Sequence, residues 1–246
     1  MTAFVLVAGA WLGSSAWDEV AGRLRAAGHD AHPLTLSGLG EKRVPDAEPP
    51  GQQTHVEDIV AAVDELALRE VVLVGHSYSG IPAGQAAERI GARLKRLVLV
   101  DANVPADGES FVSGWPDGRA MVEAAIAANG GSWPPLEAAD CAGQGLTAEQ
   151  TARLVAAATP HPGATLTEPA VLARPLDELP ATYVKCLLDG ADPSPAVAKL
   201  LAGGPDWHLT TLDTGHWPMF SAPSDLTRVL LDAAATPRAA ATGQRR

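Results

Sequence analysis

The stretch Glu70-Val71-Val72-Leu73-Val74-Gly75-His76-Ser77-Tyr78-Ser79-Gly80 decides how this chain folds. A β-branched run breaks at Gly75 and delivers Ser77 onto the start of a helix of small residues. That is the pattern of a nucleophile elbow. The turn is so tight that the serine backbone is strained and its Oγ stands above the sheet, so residues two positions away must be small. Gly75 meets that need; on the far side Ser79 stands where glycine is usual, followed by Gly80. Taken alone the string would serve equally well as a polar turn between a strand and a helix, so the surrounding pattern has to decide.

Working outward, apolar runs at residues 4–8, 30–36, 71–75, 97–101, 182–188 and 207–212 predict strands. Their apolar centres suit parallel strands buried on both faces. Between them lie helical patterns with start signals, Ser15-Ala16-Trp17-Asp18 and Thr54-His55-Val56-Glu57, the second spaced as a capping box. Crossover helices between parallel strands follow. A helix is predicted over 79–90, and another over 223–235 sets Leu226, Val229 and Leu230 at helical spacing. The fold class is α/β: a mostly parallel sheet with helices on both faces, built from residues 1–104 and 180–235. Residues 105–179 are too long for a plain connection and predict a helical cap insertion, helical at 119–129 and 147–158. Trp115, Trp133 and the pair Pro134-Pro135 give the cap rigid apolar bulk. Residues 236–246 lack apolar periodicity and predict a disordered tail.

Composition excludes several classes. With 246 residues and 46% apolar content the chain can bury a sizeable core. A formal charge of −11 without any Lys/Arg run argues against a nucleic-acid partner. Cys141 and Cys186 stand far apart, which suggests neither a disulfide framework nor a zinc site, but two reduced packing cysteines. The first residues, MTAFVLVAGAWLG, are apolar without a basic leader or cleavage pattern and read as a strand. No run approaches the ~20 apolar residues that cross a bilayer. The expectation is a soluble cytoplasmic protein acting on a small-molecule substrate, with no nucleic-acid or membrane partner; the oligomeric state stays open.

A serine hydroxyl is a weak nucleophile and needs a base, and the base needs an acceptor to orient it. His216 lies in Asp213-Thr214-Gly215-His216-Trp217-Pro218-Met219, directly after the last predicted strand, and Asp189 ends the strand before it. Both would share with Ser77 the carboxyl edge of the sheet, where open parallel sheets bind ligands. The chain order Ser77, Asp189, His216 is that of an α/β-hydrolase triad. Asp192 and Asp101 are rivals for the acid, with Asp189 preferred. His76 reads as a packing and turn residue, and His161, in Thr159-Pro160-His161-Pro162 of the cap, as a solvent-exposed one.

On these residues the chain, apart from its tail, resembles the α/β-hydrolase superfamily. More closely it resembles the branch containing plant methyl esterases and hydroxynitrile lyases, with their bacterial relatives. The resemblance rests on Phe4-Val5-Leu6-Val7-Ala8-Gly9-Ala10-Trp11, the elbow, Tyr183-Val184-Lys185-Cys186 and Gly215-His216. That family has His-Gly and a small residue after strand one; here the histidine is Ala8. The resemblance implies that the N–H groups of Ala10 and Tyr78 form an oxyanion hole, where losing one donor typically costs about 100- to 1000-fold in rate. Of Trp11, Tyr78, Trp115, Trp133, Trp217 and Phe220, all able to line an apolar pocket, Trp11 and Tyr78 flank that hole and are the preferred pocket residues.

The implied activity is cofactor- and metal-independent hydrolysis of a small to medium, mostly apolar, neutral ester or lactone by Ser77, His216 and Asp189. Three other readings compete. A hydroxynitrile-type lyase is disfavoured because Trp217 stands where that group carries a lysine. A small-molecule receptor could reuse the fold. A thioesterase, lactonase or cyclase of natural-product tailoring fits the Ala-, Gly- and Arg-rich, bacterial-looking composition.

Overall fold

The computed structural model describes residues 1–44 and 48–237. Beyond residue 237 the predicted tail lies outside the described residues. In chain order the elements are β1 (Ala3–Val7), α1 (Asp18–Ala26), β2 (Asp30–Leu34), α2 (Gln52–Glu65), β3 (Val71–His76), α3 (Gly80–Ile90) and β4 (Leu94–Val100). A long excursion follows, with α4 (Pro116–Ala128), β5 (Ser132–Trp133), α5 (Ala148–Ala157), β6 (His161–Pro162) and α6 (Ala164–Thr167). The chain then returns through β7 (Ala181–Cys186), α7 (Pro195–Gly203), β8 (Trp207–Leu212), α8 (Pro218–Ser221) and α9 (Pro223–Ala235).

Six strands form one parallel sheet in the order β2-β1-β3-β4-β7-β8, while β5 and β6 pair as a short antiparallel ribbon. Strand periodicity divides the apolar residues between two cores. Val5, Val7, Leu73, Leu97 and Leu99 pack with Val56, Ile59 and Val63 of α2 and Ala83, Ala86 and Ala87 of α3. Phe4, Leu6, Val72, Val74, Val98 and Val100 pack with Val20 and Leu24 of α1 and Leu226 and Leu230 of α9. Helices therefore cover both faces. This is an α/β-hydrolase fold.

Burial on both faces holds for the central strands only. β8 lies at the sheet edge and exposes His208, Leu209 and Thr211. β4 starts earlier than its apolar run, because Arg96 is fully buried with its guanidinium donating to the Ala181 carbonyl at 2.9 Å and to Asp206 at 2.7 Å. At α2 the expected capping box does not form: the helix begins at Gln52, Thr54 Oγ accepts the Gly51 N–H at 3.3 Å, and Glu57 pairs with Arg89 at 2.7 Å. Thr147 does cap α5, accepting the Gln150 N–H at 3.2 Å. Among the described residues no helix is long and apolar enough to cross a membrane.

Candidate active site

The site is built where β3, β4, β7 and β8 end. Ser77 sits in the left-handed region at φ 54°, as do two other non-glycine residues of the cleft, Trp11 at 66° and Asp101 at 43°. Side chains in this region are strained, and such strain gathers at functional sites. The tight turn leaves no room at its glycines: a Cβ on Gly75 would lie 2.9 Å from Ala83 Cβ, and one on Gly80 2.1 Å from the Asn103 carbonyl. Ser79 fits in place of glycine because its buried hydroxyl donates to the Ala8 carbonyl.

That contact is one of several tethers on the loop after β1. Gly9 N–H donates to His76 Nδ1 at 3.2 Å, and Trp11 N–H donates to His161 Nδ1 at 3.1 Å. Between them lies the Ala10 N–H, and the Tyr78 N–H lies beside Ser77. Because Nδ1 of His76 accepts, its Nε2–H must donate, and it does so to the His216 carbonyl at 2.7 Å. His76 thus links the loop after β1 to the loop bearing His216. Burial pushes its pKa down to about 3, so the ring is neutral.

Two expectations need correction. His161 is not solvent-exposed: it is fully buried, its Nε2 lies 2.9 Å from Thr165 Oγ, and burial holds its pKa well below the usual value. The Tyr78 ring does not line the pocket. It points into the core, where its hydroxyl donates to His55 Nδ1 at 2.9 Å while His55 Nε2–H donates to the Ser37 carbonyl at 2.9 Å. A phenol and an imidazole that satisfy each other are stable out of water, and burial lowers the His55 pKa to about 4.

His216 Nε2 lies 2.9 Å from Ser77 Oγ. Its Nδ1 faces two carboxylates, Asp101 Oδ2 at 2.7 Å and Asp189 Oδ2 at 3.3 Å. Where sequence order points to one acid, the structure brings two together, and the nearer is Asp101 at the end of β4. Asp192 is exposed and outside this grouping. Each acid has its own anchor. Asp101 Oδ1 accepts from Lys185 Nζ at 2.8 Å and from the Cys186 N–H at 3.3 Å. Asp189 Oδ1 accepts from Gln144 Nε2 at 2.7 Å, and Gln144 Oε1 accepts the His216 N–H at 2.5 Å. Burial disfavours the charged imidazole, but hydrogen bonds to Asp101 and Asp189 outweigh it and push the His216 pKa up to about 9. In return, His216 holds the Asp189 carboxyl well below the usual carboxylate range.

Lys185 and Gln144 are not legible as site residues in the sequence, although a lysine inside an otherwise apolar strand is a signal in itself. Asp101, Asp189 and His216 also form the metal-like grouping found among the described residues, with ligand atoms within 4.8 Å of one another. Asp101 Oδ1 is taken up by Lys185 and its Oδ2 by His216, so protein cations already satisfy it.

Ser77 and His216 open onto a cleft of about 1300 Å³ between the sheet edge and the excursion after β4. Trp11, Phe111, Trp115, Trp133 and Trp217 wall it, the Trp11 and Trp133 rings 4.2 Å apart. No Lys or Arg is among its described lining residues. Phe220 lies in the second core instead.

The chain matches the alpha/beta hydrolase family over residues 4–229. It is 31% identical over 242 residues, 94% of this chain and 98% of the other, to a carbendazim hydrolyzing esterase of Nocardioides sp. (strain SG-4G). It is 31% identical over 103 residues to methylesterase 10 of Arabidopsis thaliana, covering 42% of this chain and 38% of that one. Among solved structures, an extracellular alpha/beta-hydrolase from a Paenibacillus species superposes with a TM-score of 0.83 at 22% identity, covering 95% of this chain and 99% of that one.

Proposed function

The chain belongs to the alpha/beta hydrolase family and is a hydrolase; from that premise we propose that it cleaves a small to medium, largely apolar carboxylic ester or lactone through an acyl-enzyme on Ser77. The observation that carries this reading is the line of contacts from Ser77 Oγ to His216 Nε2 at 2.9 Å and from Nδ1 to Asp101 at 2.7 Å. With Nδ1–H donating to carboxylate, neutral His216 presents a lone pair at Nε2 to the serine proton. Ser77 attacks the carbonyl, His216 takes the proton and returns it to the leaving alcohol, and the same base then activates the water that releases the acid. Asp101, with Asp189 beside it, fixes the tautomer and stabilises the imidazolium. The N–H groups of Ala10 and Tyr78 receive the developing oxyanion.

The aromatic walls and the absence of lysine and arginine from the described lining favour an apolar substrate over a phosphorylated or multiply anionic one. Esterase names among the relatives support the same reaction type. The lyase reading is weaker, because an indole, Trp217, follows the base where a cation would be needed.

Fluorophosphonate labelling with peptide mass spectrometry tests the proposal. The expected result is one adduct on Ser77, lost in His216→Ala, and aryl-ester turnover that falls by roughly 10⁴-fold or more in Ser77→Ala. Folded protein that takes no label at Ser77 would overturn it, and a strong preference for CoA thioesters over matched simple esters would overturn the substrate class.

A further inference from the structure

Lys185 is a charged residue in a strand whose six residues are all buried. Its side chain is 8% exposed, and its ammonium lies 2.8 Å from Asp101 Oδ1 and 3.4 Å from the Asp189 carbonyl oxygen. A buried ion pair is commonly no more stable than a well-packed apolar pair, because two ions must leave water. Its place beside the base suggests a different role. The groups facing His216 are Asp101 from the end of β4, Asp189 from the turn after β7, and the neutral His76 from β3. Tyr183 and Cys186 lie next to Asp101 and are uncharged, burial having pushed each pKa up. Among the described residues Lys185 is the one Lys or Arg within ion-pair distance of either carboxylate.

We propose that Lys185 is a positioning residue that takes up one of the two carboxylates beside His216 and so sets how tightly the base holds its proton. With His216 protonated, the two acids, the imidazolium and the ammonium balance; when the proton leaves for substrate, a single negative charge is uncovered. Without the ammonium one negative charge would already stand uncompensated and the same step would leave two, in a site where charges are weakly screened. The imidazolium would then be held more tightly and the base would be empty of its proton less often. The lysine also pins Asp101 Oδ1, which leaves Oδ2 to face Nδ1.

This inference rests on the hydrolase reading for its kinetic consequence, but its test has a readout of its own. The midpoint of the His216 imidazole is followed by NMR of histidine-labelled protein, alongside the pH profile of kcat/KM on an aryl ester. In Lys185→Met both the midpoint and the rising limb should move up by about one unit or more, which lowers turnover near neutrality about tenfold and lets it recover as pH is raised. Lys185→Arg should restore the wild-type midpoint. Lys185→Met with Asp101→Asn removes both charges, spares the fold an unpaired carboxylate, and should bring the midpoint below wild type. An unchanged midpoint in Lys185→Met, a loss equal at every pH, or a folded double variant whose midpoint is not lowered would each overturn the proposal. Midpoints that move as expected in a protein without ester turnover would support the role of Lys185 and count against the hydrolase reading alone.

Discussion

Ser79 Oγ donates to the backbone carbonyl of Ala8, so the two positions at which the chain departs from its family pattern touch each other. A hydroxyl on the elbow thereby holds the loop after β1. Ser79→Ala leaves the buried Ala8 carbonyl without that donor, which should lower unfolding stability by about 1–3 kcal/mol. Turnover should fall with it, since the loop carries the Ala10 N–H. Urea unfolding and steady-state kinetics check this; a variant with wild-type stability and rate would remove the tether from the account.

The basic pKa of His216, about 9, makes the free enzyme a poor base at neutral pH. Turnover measured as kcat/KM should therefore climb close to tenfold per pH unit and level off near pH 9. Asp189→Asn withdraws one of the carboxylates that raise this pKa, so its limb should move to lower pH, and Asp101→Asn should do the same with a larger loss on the plateau. The sign for stability is set by the same shift. A histidine whose folded pKa is raised stabilises the fold fully below about pH 6.5, and that contribution fades as pH rises through about 9. Limbs that coincide in wild type and both variants would contradict the two-acid arrangement.

Gln144, from the excursion over the sheet, bridges the Asp189 carboxylate and the His216 N–H. Hydrogen bonds to a charged group contribute about 1.5–3 kcal/mol, so Gln144→Ala is expected to reduce kcat/KM by roughly 10- to 100-fold. Gln144→Glu sets a like charge against Asp189 and should be worse. Kinetics on both variants, with circular dichroism to establish folding, would show whether the excursion shapes the base as well as the pocket.

Three neutral histidines are buried in this fold: His55 and His76, with pKa values lowered by burial to about 4 and about 3, and His161, also lowered well below its usual value. For a lowered histidine the unfolded chain binds more protons below about pH 6.5, so stability falls as pH falls. With about 1.4 kcal/mol per pH unit for each proton, the three together should cost about 4 kcal/mol per unit between roughly pH 5.5 and 4.5. Urea midpoints across that range should show the slope, and His55→Gln should reduce it by about a third. A flat profile would mean that these rings are charged or water-exposed in the folded protein.

Local chemistry sufficed for much of this protein. The β-branched runs and the small residues at Gly75 and Gly80 determine a strand, a strained turn and a helix within a dozen residues, so the elbow and the parallel sheet were legible in the chain. His216 was legible for the same reason, because the end of a strand brings its loop to the carboxyl edge. Which carboxylate meets Nδ1 was not: Asp101, Asp189 and Asp192 all stand near strand ends, and only the folded chain sets Asp101 at 2.7 Å and Asp189 at 3.3 Å from it while leaving Asp192 exposed. The pairing of Lys185 with Asp101, of Gln144 with His216, of His161 with the Trp11 N–H and of Tyr78 with His55 joins groups 23 to 150 positions apart in the chain. Pattern and periodicity fix which way a backbone runs, but a buried polar side chain is placed by whatever partner the folded chain brings within hydrogen-bond reach, and only the tertiary structure supplies that partner.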